Sequence, residues 1–194
     1  MRRFVGTRPI GVWIALASIL FLLVFGIGGQ SLSLVSWDLA CRLGLQENRF
    51  DDPDVLERAA AHFEWGSCAA DVLVVLPLLI LGFVGVACRR HWGAVAALMA
   101  AACWIYAFFD YTVDRYSLAV RGGLVPWEKY SGIVLAYGLL GALPSALVVV
   151  GIAANMDRFA ARRPHSRIVR SPGDSLPGSL LEDLLICTGQ VLWT

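Results

Sequence analysis

The sequence predicts an all-α integral membrane protein, a four-helix bundle with both termini cytoplasmic and its second helix extended into an extracytoplasmic loop. Three observations predict it. Four apolar runs are each long enough to cross a hydrocarbon core of roughly 30 Å, which takes about 20 helical residues. Arginines are dense in alternate connections, and aromatic residues gather at the run ends on the other side. The composition agrees: 58% of the 194 residues are apolar, only 16% are charged, and mean hydropathy is +0.67. Soluble domains carry charge on about a quarter of their residues, so an ordinary soluble globule is excluded. The length suits one compact helical unit.

The first span is expected at about 10–29, behind Arg2, Arg3 and Arg8. It is longer than the roughly 7–15 apolar residues of a signal peptide and ends Gly-Ile-Gly-Gly-Gln without a cleavage pattern, so it reads as uncleaved. The extracytoplasmic loop 30–65 sets Arg42, Arg49 and Arg58 against Asp38, Glu47, Asp51, Asp52, Asp54, Glu57 and Glu64, and is therefore acidic. Within it Ser36 is placed to cap a short amphipathic piece, Trp37 to Leu45, lying in the interface. Asp52 as N-cap with Pro53 at the first helical position opens the second helix. No proline follows until Pro77, so one helix of about 35 residues is expected, its first turns in water and 66–88 in the membrane. Gly66 is where that helix would turn if it broke.

Arg89, Arg90 and His91 end the second span; the third is expected at 93–111 and the fourth at 131–154, completing a transmembrane domain over 1–156. Residues 157–194 form a basic cytoplasmic tail. Its Arg158, Arg162, Arg163, Arg167 and Arg170 make a lipid-surface collar, each contributing about 1 kcal/mol near anionic lipid. A Ser/Pro/Gly linker follows, then a short amphipathic piece opened by the capping-box pattern Ser179 to Glu182. Too short to span, that piece is expected to rest on the membrane or dock a cytoplasmic partner.

The N-terminus, the Arg89–Arg90 turn and the tail hold ten basic residues, and the other connections hold six. The positive-inside rule thus places both termini in the cytoplasm. Trp37, Trp65, Tyr111, Tyr116, Trp127 and Tyr130 fall at the opposite boundary, as an aromatic belt should. Lys129 is the only lysine and Ala and Gly abound, a bias that suggests a bacterial plasma membrane.

The candidate chemistry lies in acids carried into or beside the spans. Glu57, Glu64 and Asp71 recur every seven residues and share one stripe of the second helix. Tyr106, Asp110 and Asp114 recur every four on the third. A short link makes these helices antiparallel neighbours, so Asp71 and Asp110 are expected to meet near the outer boundary. Glu64, Asp71, Tyr106, Asp110 and Asp114 are accordingly the binding or proton-exchange candidates, since acids in a span are costly and mark function. A hard cation such as Ca²⁺ suits such a set of carboxylates, but solvated acids are their ordinary use and no metal site is assigned. Pro77 and Pro144 fall near mid-membrane as candidate hinges. In the fourth span Gly138, Gly141, Ala142 and Ser145 give a small-residue face for close helix packing.

Five cysteines without a C-x-x-C pair read as small hydrophobes, and His62 stands outside any metal signature. Nucleophile elbows, P-loops and dinucleotide fingerprints are absent, so no cofactor is expected and an enzyme is the weakest reading. The uncharged first span departs from the small multidrug-resistance transporters, and the missing C-x-x-C from the vitamin K epoxide reductases. Basic residues are spread by side of membrane, which excludes a nucleic-acid face. The expected partners are the lipid bilayer and a membrane or cytoplasmic protein. The expected function is a binding, sensing or accessory component with an outward-facing acidic pocket. The alternative is a small proton- or cation-coupled transporter using Asp71 and Asp110, and an intramembrane enzyme follows behind it.

Overall fold

The computed structural model describes residues 9–43, 45–46, 50–121 and 126–159, and among them every secondary-structure element is helical. Four helices are long and apolar enough to cross a membrane: α1 (Ile10–Val35), α2 (Val55–Ala87), α3 (His91–Val120) and α4 (Tyr130–Ala153).

Helix α1 starts behind Pro9, whose carbonyl accepts the Val12 N–H at 3.0 Å. It runs past the predicted end near 29 because Gly26–Gln30, instead of stopping the helix, form a π turn that leads on to Val35. Ser36 adopts an extended backbone, stops the chain there, and caps a short helix, Trp37–Arg42, by accepting the Leu39 N–H on Oγ at 3.4 Å. That helix ends three residues before the expected Leu45.

At the start of α2 the cap is Asp54, not Asp52. Asp54 Oδ1 accepts the Leu56 N–H at 2.9 Å, while Asp52 Oδ1 accepts the Asp54 N–H at 2.8 Å. The first acid is used to close the turn around Pro53, so capping falls to the acid after it. From Val55 the helix continues for 33 residues, passing Gly66 unbroken. A Cβ added at Gly66 would meet nothing within 4 Å. Gly66→Ala should therefore stabilise the protein by about 0.5–1 kcal/mol, the backbone-entropy cost of glycine in an exposed helix. A lower denaturant midpoint for this variant would mean that α2 bends there in solution.

Helix α2 ends in a Schellman motif, with Arg90 N–H bonded to Gly85 O at 2.7 Å and Arg89 N–H to Val86 O at 3.1 Å. Arg89 holds the left-handed position, φ 55°, usually filled by glycine. Helix α3 follows at once and runs well past the predicted 111. Hydropathy fades there, but Asp110 and Asp114 face outward and Arg115 is buried, so the polar residues are accommodated without ending the helix.

Each long helix contains one π turn: Gly26–Gln30, Asp71–Val75, Ser117–Arg121 and Gly138–Ala142. Pro77 and Pro144 each follow a π turn by two residues. A proline lacks an N–H and collides with the carbonyl four residues back; the wider π ring relieves that collision while keeping the chain helical.

The four helices close into a ring in which α1 and α3 each pack on both α2 and α4. We call the end carrying Ile10, Ala87, His91 and Ala153 the near end, and the other the far end. Ile19, Leu22, Leu79, Val86, Ala97, Ala100, Val148 and Ile152 fill the centre. Glycines set the approach: Gly82 faces Ala97 and Gly85 faces Gly93 between α2 and α3, while Gly11 faces Gly151 between α1 and α4. Gly138 and Gly141 of the small-residue face lie against Phe108 and Trp104 of α3, and the Ser145 hydroxyl donates to Gly141 O at 2.8 Å.

Cys41, Cys68 and Cys103 are free thiols. Arg158 is exposed and pairs with Asp157 at 3.5 Å; Arg162, Arg163, Arg167, Arg170 and the Ser179–Glu182 pattern lie outside the described residues.

Candidate functional site

The acid stripe of α2 faces into the far end of the bundle, where it meets an arginine of α3. Arg115 Nη2 pairs with Glu64 Oε1 at 2.8 Å, and the two side chains keep 5% and 19% of their exposure. The same guanidinium lies 5.0 Å from the ring centroid of Tyr111 and 5.2 Å from that of Tyr130. Buried Tyr130, at the start of α4, directs its hydroxyl to Glu57 Oε1 at 3.5 Å. One cation thus joins α2, α3 and α4. Its planar, weakly hydrated head suits a site that combines a carboxylate with two aromatic faces, which an ammonium would fill poorly.

Two turns further into α2, Asp71 opens the π turn and is half-buried. Among the described residues no hydrogen bond or ion pair reaches it. Beside it lies a small recess lined by Gly26 of α1, Val75, Leu76 and Leu79 of α2, and Trp104 of α3. Its walls are apolar and it offers about 10 Å³ to a water centre, room for about one molecule. Ligand pockets run to about 300–1,000 Å³, so no substrate-sized cavity opens here.

Tyr106, Asp110 and Asp114 are exposed on α3; Asp114 Oδ2 lies 3.9 Å from Arg115 Nε. No hydrogen bond or ion pair joins Asp71 to Asp110 among the described residues. Tyr137 of α4 stands within electrostatic reach of both, its ring packed edge-on against Trp104, Phe108 and Tyr111 at 6.0, 6.2 and 5.7 Å. Helical periodicity accounts for this. Trp104, Phe108, Tyr111 and Arg115 follow 3- and 4-residue steps and share the inward face, whereas Tyr106 is two residues, about 200°, away from Trp104. The signal for Arg115 was present in those steps: it is the base on the one face of α3 that can meet the acid stripe.

The described residues hold no group of three His, Cys, Asp or Glu that could bind a metal ion. His62 packs edge-on against Phe50, which packs against Trp37, each at 4.9 Å between centroids. Chemically, then, the far end offers a buried ion pair that fastens three helices and, below it, a carboxyl group in apolar surroundings. Comparison of the chain with protein-family models, with curated proteins and with solved structures finds no match in any of the three.

Proposed function

We propose that the chain is a multi-pass protein of a bacterial plasma membrane that acts as a binding, sensing or accessory component and moves no substrate through its own bundle. Insertion is supported by large apolar side chains left exposed around the ring, such as Leu20, Leu73, Leu135 and Val150, a surface suited to hydrocarbon. The arginine distribution favours a cytoplasmic near end. Cysteines introduced at exposed His62 and Arg158 should react with an impermeant reagent from opposite sides of the membrane; same-side labelling would overturn the topology.

The observation that carries the accessory reading is the closed interior. Below Asp71 the ring is filled by Leu79, Ala97, Ala100, Val148 and Ile152, and the recess beside the acid has room for no more than about one water molecule. A second reading, proton or cation exchange at Asp71 and Asp110, is favoured by an intramembrane acid that no described residue pairs. Liposomes with the purified protein and a pH-sensitive dye inside separate the two. Wild-type protein should leave proton flux at the protein-free rate, and flux that Asp71→Asn abolishes would replace the accessory reading with the exchange reading.

A further inference from the structure

The π turns of α2 and α4 fall at one level of the bundle, and that of α1 lies about one turn further out. At 1.5 Å per residue their centres lie about 27, 21 and 20 Å from the near ends of α1, α2 and α4. The turns of α1 and α2 touch each other, and that of α4 packs on α3. Trp104 marks the same level on α3, about 20 Å from His91, and there α3 is a regular α-helix, its own π turn lying beyond Arg115. Two helices are therefore interrupted at this level, a third about one turn beyond it, and α3 is continuous there. Two of the interrupted helices add a proline just beyond the π turn, on the near side for α2 and likewise for α4, and the third has Gly26, Gly28 and Gly29 in its turn. Such positions are where helices kink, because backbone hydrogen bonding is already rearranged.

Arg115 ties the far halves to the continuous helix, beside the packing of Tyr137 on Trp104, Phe108 and Tyr111. It pairs with Glu64 in the far half of α2 and stacks on Tyr130 in the far half of α4. One turn along α2 from Glu64, Gln46 Nε2 donates to Ser33 Oγ of α1 at 3.2 Å and reaches Cys68 Sγ at 3.7 Å. Cys68 is buried and lies on the same helical face as Glu64 and Asp71, four residues from one and three from the other.

We propose that this level is a hinge and Arg115 its latch: when the Arg115–Glu64 pair opens, the far halves of α2 and α4 swing on α3 and bare the Glu64–Cys68–Asp71 face to the aqueous phase at the far end. The device stands apart from the accessory reading, since either a sensor or an exchanger can use it.

Cys68 is a native reporter of that opening. The full-length protein in lipid nanodiscs is treated with a maleimide, and modification is followed peptide by peptide, with half-buried Cys103 on α3 as internal reference. Arg115→Gln should raise the Cys68 rate about tenfold, the ratio expected when a local opening becomes about 1.4 kcal/mol easier, and should leave Cys103 unchanged. Glu64→Gln should act in the same direction and carries the test if Arg115→Gln does not fold. Adding Pro77→Ala and Pro144→Ala to either variant should remove most of the gain. An unchanged Cys68 rate overturns the latch, an equal rise at Cys103 shows general loosening instead, and a gain that survives both proline replacements overturns the hinge.

Discussion

Arg115→Ala is expected to lower the unfolding free energy by about 3–5 kcal/mol, the cost of breaking a buried ion pair from one side. The guanidinium is nearly sealed, so its removal takes from the Glu64 carboxylate the cation that it pairs with at 2.8 Å and leaves the facing rings of Tyr111 and Tyr130 without their cation. Glu64 retains some exposure and can recruit water, which places the expected loss toward the lower end of that range. Arg115→Lys keeps the charge but not the planar fork or the stacking, so it should fall between wild type and alanine. Arg115→Met combined with Glu64→Leu should recover most of the loss, because apolar side chains of similar volume replace buried pairs at little cost. Equilibrium unfolding of the detergent-solubilised protein measures all four. If Arg115→Ala lies within about 1 kcal/mol of wild type, the pair contributes no more than a surface salt bridge would, and its role in fastening the three helices falls with it.

The four long helices were legible because each needs about 20 apolar residues, a signal that survives any detail of packing. The far ends of α1 and α3 were not, for a reason that Gly28–Gly29 and Asp110–Arg115 illustrate. Hydropathy reports where a segment stops being apolar, whereas a helix stops where its backbone finds a cap, as α1 does only at Ser36. Glycines read as terminators continued as a π turn, and charged residues read as a link continued as helix because their exposed or paired positions satisfy them. The acid stripe of Glu57, Glu64 and Asp71 was visible in its spacing of seven. Its partner was harder to see, since the eye falls on Tyr106, Asp110 and Asp114, which repeat cleanly and lie on the exposed face of α3. Arg115 belongs instead to the aromatic series from Trp104, whose inward direction is set by contacts with α4 that one helix cannot reveal. The glycine pairs Gly85–Gly93 and Gly11–Gly151 were equally hidden, because each becomes a pair only when two helices cross at the right height.

Those crossings carry the other large expected effect. On the proposed membrane reading, the apolar seams between helices have no hydrophobic drive to hold them, so close backbone packing through small residues supplies much of the association. A Cβ on Gly85 would lie 2.8 Å from Gly93 N and 2.8 Å from Trp92 Cζ3, and one on Gly93 would lie 2.6 Å from Val86 N. Backbone nitrogens cannot rotate aside as a side-chain tip does, so α2 and α3 must part near the turn that joins them. Gly85→Ala should cost about 1–3 kcal/mol as overpacking, and Gly85→Val more than that. Gly85→Ala with Gly93→Ala should cost less than the sum of the two, because the helices need to separate only once. The contrast with Gly66→Ala isolates the cause. Both substitutions place the same methyl group in the same helix, one against backbone and one in open space, and the unfolding midpoints should move in opposite directions. Equal midpoints for the two variants would show that α2 and α3 do not approach through Gly85.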